Sequence, residues 1–599
     1  MKPVIRTSAA LLLLACVFSC SPDPKKQAEA FLNDYNSTYQ KLYYDMQKAQ
    51  WTANIDISSK HDSLSESAEK VYSKFIGSKD VIEKTRKFLA EKDLLEPVQV
   101  MELNKIIIAA AHRPATIPEV TDKLITATTK NTSILYGFNY ALPDKTGPKK
   151  VTTNDIDNIL VDSKNLNERL VAWEASKEVG KELKGGLADL ESLRNQVARE
   201  MGYSSFFDLE VSDYGMSTKE MMDLMDQFAR EVRPLYSELY TYARYTLAKR
   251  YNQPVPDLLP AHWLPNRWGQ NWPGIVQAVD LDGLFKGKTK EWIVHTSEQF
   301  YISMGFAPLN QNFWDKSDLY PVEPGSNRKK NNHASAWHMN LADDYRSLMS
   351  VIPNDDWFQV AHHELGHIFY FITYSNPEVP YVLRDGANRS YHEGMGDLIA
   401  MASSQRPYLE QLGLLSKDAK IDQTQWLLND ALSNSSIVFI PFAAGTMTHF
   451  EHDLYEDNLP EDQFNSRWWE YVKKYQGIAP PSPRGSEYCD PATKTHIIDD
   501  PAQYYDYALS CVLKFQLHDY IAKHILHQDP RNCNYYGNKE VGDFLKSIMR
   551  PGASKDWRTV LREKTGEDLS ARAMLDYYQP LMEYLKAQNK GRKATLPEL

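Results

Sequence analysis

Apolar residues recur at helical spacing through most of this sequence, and strand-like alternation is scarce. Ser217-Thr218-Lys219-Glu220 reads as a capping box, and Met221, Leu224, Met225, Phe228 and Val232 follow it on one helical face. Pro234 is expected to kink or restart that helix. Residues 166–201 and 541–585 carry similar long amphipathic patterns, while 253–265 and 477–485 read as loops. No internal repeat, low-complexity block or long linker interrupts the 599 residues. The expected fold is therefore mainly α, with residues 21–599 forming one large domain.

Charge narrows the partners. The 68 basic and 79 acidic side chains leave a net charge of −11, and no basic stripe stands out, so nucleic acid is not expected as a partner. At the N-terminus, Lys2 and Arg6 precede an apolar run over 9–18, which ends at Ser19-Cys20. That pattern describes a signal peptide over residues 1–20, too short to span a bilayer comfortably. Val17-Phe18-Ser19-Cys20 resembles a bacterial lipobox, with Leu13-Leu14-Ala15-Cys16 as the alternative. The expectation is an exported periplasmic or cell-envelope lipoprotein, touching membrane only through a lipid on Cys20. Of the remaining cysteines, Cys489, Cys511 and Cys533, export permits one pair to join, with Cys489–Cys533 among the options.

The chemistry centres on His362-His363-Glu364-Leu365-Gly366-His367, which contains H-E-x-x-H within a helical pattern. Residues four apart share a helix face, so His363 and His367 can direct both imidazoles at one metal ion. Glu364 sits one step round, where it can reach a water at the metal as general base. His362 points about 100° away from His363 and reads as packing. A zinc ion that hydrolyses peptides takes three protein ligands and keeps one position open. Downstream, Glu393 can supply the third, and Asp397 can accept the second ring N–H of a ligating histidine. His392 beside it reads as a packed or supporting histidine.

Together these segments resemble the angiotensin-converting enzyme family, the peptidyl-dipeptidases A, in a bacterial member. The likeness rests on the His362–His367 motif, on Arg384-Asp385-Gly386-Ala387-Asn388 with His392-Glu393, and on Pro260-Ala261-His262 with Trp268-Gly269-Gln270-Asn271-Trp272. His333-Ala334-Ser335-Ala336-Trp337, Tyr475-Gln476-Gly477 with Pro480-Pro481, and Lys494-Thr495-His496 with Tyr504 and Tyr507 extend it. Residues 28–57 are similar to the family's first helix. The resemblance implies a large helical zincin-type metallopeptidase with a deep central cleft and one zinc per chain. It implies that Glu364 is the base, and that His496 and Tyr507 donate to the tetrahedral oxyanion. It further implies that Gln270, Lys494 and Tyr504 hold the substrate's terminal carboxylate, and that His333 with the Ala334 and Ala336 backbone binds the peptide main chain. Such chemistry suits the residue types: preorganised donors for a developing oxyanion, and a cation with two hydrogen-bonding groups for a carboxylate.

This chain departs from the family at several points. Asp506 stands between the tyrosines where members carry a chloride-binding arginine, and Val472 replaces a second one after Trp468-Trp469, which argues against chloride activation. Asn332 and Ser350 stand where animal members form a disulfide. Two extra residues fall between His367 and Glu393, placed most simply at 375–379, and one between His496 and Tyr504. The preferred activity is release of dipeptides from peptides with a free C-terminus. A zinc oligopeptidase or single-residue carboxypeptidase is the nearer rival, and a peptide-binding lipoprotein without catalysis the further one.

Overall fold

The computed structural model describes residues 23–144, 147–276 and 281–599; the leader and Cys20 lie outside the described residues. Helix makes up 64% of the chain, and the described strands form three two-stranded sheets, so the mainly α architecture expected from periodicity is observed. One apolar cluster runs through the chain from Ile82 to Leu585, and a smaller one seats the first helix, Pro24–Ile55, through Ala28, Leu32 and Tyr35. No described helix is long and apolar enough to cross a membrane.

The capping box forms as read. Ser217 Oγ accepts from Glu220 N, and the Glu220 carboxylate accepts from Ser217 N at 2.8 Å. Pro234, however, neither ends nor restarts the helix, which runs unbroken over Thr218–Tyr251 and buries Val232, Leu235 and Tyr236 around the proline. Packing on that face outweighs the single backbone donor that proline removes. The two other long patterns are divided. Residues 166–201 form Leu166–Lys177 and Val179–Glu200, joined at Glu178, and 541–585 break into several short helices. The loops 253–265 and 477–485 are loops, but they also meet: Leu259–Pro260 pairs in parallel with Ile478–Ala479. Cys489, Cys511 and Cys533 are all free and buried, so the Cys489–Cys533 pairing is not made.

Three helices position the site: Asp355–Tyr374, Arg389–Ser403 and Tyr505–Tyr520, with the second packed between the other two. Asn354 caps the first by accepting from Trp357 N at 2.9 Å, and Asp355 and Asp356 complement its positive end. Asn388 caps the second by accepting from Tyr391 N at 3.0 Å. The extra residues assigned to 375–379 lie in the loop that follows Tyr374, outside both helices.

Where the first two helices cross, Gly366 faces Gly396. A Cβ on Gly366 would lie 2.9 Å from Gly396 Cα, and one on Gly396 would lie 2.8 Å from the His363 ring. Glycine inside a helix costs about 1 kcal/mol relative to alanine, so these positions serve the close approach and not helix propensity. Gly366→Ala must therefore move one helix off the other. The expected destabilisation is about 1–3 kcal/mol, measured as a lower urea midpoint with an unchanged slope.

Candidate metal centre

The crossing brings three donors together. His363 Nε2 lies 3.0 Å from His367 Nε2 and 3.6 Å from Glu393 Oε2, and the three donor atoms all fall within 4.8 Å of one another. A tetrahedral zinc with bonds of about 2.0–2.2 Å holds its donors about 3.3 Å apart, which this group matches. All three side chains are only half-buried, so an entering ligand can reach the position they leave open.

The supporting contacts fix which nitrogens face inward. His363 Nδ1 is 3.1 Å from Asp397 Oδ1, the partner expected for it, which leaves Nε2 free to ligate. His367 Nδ1 meets His392 Nδ1 at 3.3 Å, so His392 does stand beside the ligands in a supporting place. His362 is fully buried, with Nδ1 near Phe358 O and Ser297 Oγ, as a packing residue. Lys514, which the sequence reading missed, approaches Asp397 Oδ2 at 3.7 Å. Its signal was a lysine within the apolar run Val512-Leu513-Lys514-Phe515.

Glu364 is 6% exposed, and its Oε2 has no hydrogen-bond partner among the described residues. Burial pushes its carboxyl up to about 7, against the pull of His363. A buried, unpaired carboxylate beside the three donors has the placing a general base needs.

A second group brings together His496, Tyr504, Tyr507, Lys494 and Gln270. His496 Nε2 is 3.2 Å from Tyr507 Oη, and the Glu393 charge is felt at that phenol, which burial pushes up to about 12. Lys494 Nζ donates to Gln270 Oε1 at 2.9 Å, and Tyr504 Oη donates to the same oxygen at 3.4 Å. The extra residue before Tyr504 is absorbed between the helices Thr495–Asp499 and Tyr505–Tyr520 without separating these groups. Lys494 is 5% exposed, and among the described residues no carboxylate lies within ion-pair distance of its ammonium, on which Asp499 acts only at longer range. Instead its ammonium lies 4.6 Å from the centre of the Trp268 ring and 5.1 Å from that of Tyr504. Burial, with Arg267 nearby, draws its pKa down to about 7.

The remaining predicted residues sit apart. His333 is exposed, and its Nδ1 lies 2.8 Å from Ala334 O, within its own loop. Ala334 and Ala336 are half-buried; Ser335–His338 pairs with Tyr345–Leu348 and packs against the helix that bears His363.

With this geometry in place, comparison with known proteins is decisive. The family described as angiotensin-converting enzyme matches residues 22–596. The chain belongs to that family. It is 29% identical to angiotensin-converting enzyme of Mesocricetus auratus over 95% of its own length and 44% of the relative's. The bovine enzyme gives 29% with the same coverage. The mouse angiotensin-converting enzyme-like protein Ace3 is 30% identical, covering 95% of this chain and 78% of that protein. The chain thus spans less than half the length of the hamster and bovine relatives.

The ligand set makes a graded expectation. Glu364→Gln should retain one zinc per chain by elemental analysis, since no donor is lost. Asp397→Ala, which frees the His363 ring, should weaken zinc binding about 10–100-fold in a chelator competition, and Glu393→Ala should weaken it more. Parental affinity in Glu393→Ala would remove it from the ligand set.

Proposed function

We propose that this chain is a zinc metallopeptidase that releases dipeptides from the free C-terminus of peptides. The observation that carries the reading is Lys494, a buried ammonium with no carboxylate within ion-pair distance among the described residues, flanked by Gln270 and Tyr504. Burying an unpaired charge is costly, and a peptide's terminal carboxylate supplies the missing partner.

His363, His367 and Glu393 would hold the zinc. When bound, it supplies a Lewis acid that polarises the scissile carbonyl and makes water a stronger nucleophile. Glu364 takes the proton from the attacking water and passes it to the leaving amine. His496 Nε2–H and Tyr507 Oη–H donate to the carbonyl oxygen as it gains negative charge; they lie 3.2 Å apart, close enough to reach one oxygen once each gives up the contact with the other. Ser335–His338 is paired along one edge, so a peptide main chain can lie beside Ala334 and Ala336 with His333 at its end.

The position of the cut tests this against the carboxypeptidase rival. A blocked tripeptide should give a free dipeptide as first product by mass spectrometry; a single amino acid would support the rival. Amidating the C-terminus should lower kcat/KM about a hundredfold, roughly 2–3 kcal/mol, as should Lys494→Ala on the free acid but not on the amide. Because Lys494 loses its proton above about 7, KM for the free acid should rise as pH increases past that value. KM for the amide should not follow it; parallel rises would remove Lys494 from the carboxylate site.

Anion dependence is the second point. Asp506 is fully buried, accepts from Tyr214 Oη, and faces Arg389 Nε at 3.5 Å; burial pushes its carboxyl up to about 7 against the pull of Arg389, so a protein carboxylate occupies the place between the tyrosines. Val472 lines a small pocket with Lys177, Arg267, Trp468 and Trp469. Replacing chloride by acetate at constant ionic strength should change activity less than about twofold, within the range of a weak surface ion effect. Saturable activation specific to chloride would instead place an ion beside Lys177.

A further inference from the structure

Arg389 opens the helix that carries Glu393, one turn before it. A cation at a helix N-terminus opposes the macrodipole, so its place needs another reason. Its guanidinium is shared among three elements. Nη1 and Nη2 grip Asp500 at 3.0 and 2.8 Å, Nη1 reaches Gln503 Oε1 at 3.3 Å, and Nε faces Asp506 Oδ2 at 3.5 Å. Asp500 follows the short helix of His496, and Asp506 lies beside Tyr507. Nη2 also donates to Tyr507 Oη at 3.2 Å.

We propose that Arg389 is a positioning residue for Tyr507, holding and polarising its phenol by direct donation to the hydroxyl oxygen. This rests on the reading of Tyr507 as an oxyanion donor. A phenol oxygen has one proton and two lone pairs. With one lone pair occupied by a guanidinium N–H, the proton is left for the opposite side of the oxygen, where His496 Nε2 lies at 3.2 Å, and a cationic donor behind it makes it a stronger donor. The bidentate grip on Asp500 fixes the guanidinium, and Arg389 keeps its charge at every working pH. The residue therefore acts through Tyr507 and stands behind the site where the oxyanion forms.

A double-mutant cycle on the zinc-loaded full chain tests this, with Arg389→Gln and Tyr507→Phe alone and together. Arg389→Gln should lower kcat about tenfold, leave KM within about twofold, and retain one zinc; in the Tyr507→Phe background its loss should shrink below about twofold. Equal losses in both backgrounds, or a loss confined to KM or zinc content, would overturn the proposal. Should Arg389→Gln fail to fold, Arg389→Lys keeps the charge but not the fork. It should lose part of kcat in the parent and none beside Tyr507→Phe, and equal losses again overturn it. Parental kcat in Tyr507→Phe would instead overturn the oxyanion reading, and this proposal with it; an impaired Tyr507→Phe with additive Arg389→Gln overturns this proposal alone.

Discussion

The crossing of Asp355–Tyr374 over Arg389–Ser403 sets the geometry on which the rest of the site depends. His363 and His367 share one helix and would project side by side in any fold, but neither can recruit Glu393 unless the second helix comes within backbone contact. Two facing glycines permit that approach, and their absent side chains leave room for the His363 ring. Once the helices touch, one contact serves two ends: Glu393 meets the imidazoles on one turn, and Asp397 orients His363 from the next.

Around this crossing the protein buries charges that are not fully matched. Glu364 has an unpartnered oxygen, and Lys494 has aromatic rings and an amide where a carboxylate would ordinarily stand. Burial raises the first and lowers the second, in each case because the charged form is the one that loses hydration. In their charged forms these two groups are less stable than they would be in water. That deficit fits groups whose partners arrive with the substrate.

Elsewhere buried charges of opposite sign meet within the chain. Arg389, Asp500, Asp506 and Tyr214 form a set of contacts linking the Glu393 helix to the segments of His496 and Tyr507. An arginine on one element and an aspartate on another hold the tyrosine region together, and both signs of charge come from the chain itself.

Much of this was legible in the sequence because it depends on short-range periodicity. The i, i+4 spacing of His363 and His367, the Ser217 capping box and the helical apolar stripes each state a local geometry that the fold retained. The need for a third ligand pointed to Glu393, and resemblance to a family placed Lys494, Gln270, Tyr504, His496 and Tyr507, which come from separate segments of the chain. What local pattern could not state was tertiary. Pro234 sits within a continuous helix because its neighbours are packed, three cysteines are buried without forming a disulfide, and the loops 253–265 and 477–485 pair across more than two hundred residues. Arg389 and Lys514 gained their places only when folding set Tyr507 and Asp397 against them. The sequence by itself determined the helices and the ligand types, since both follow from neighbours a turn apart; only the tertiary structure decided which buried charges found partners, because those partners come from other helices.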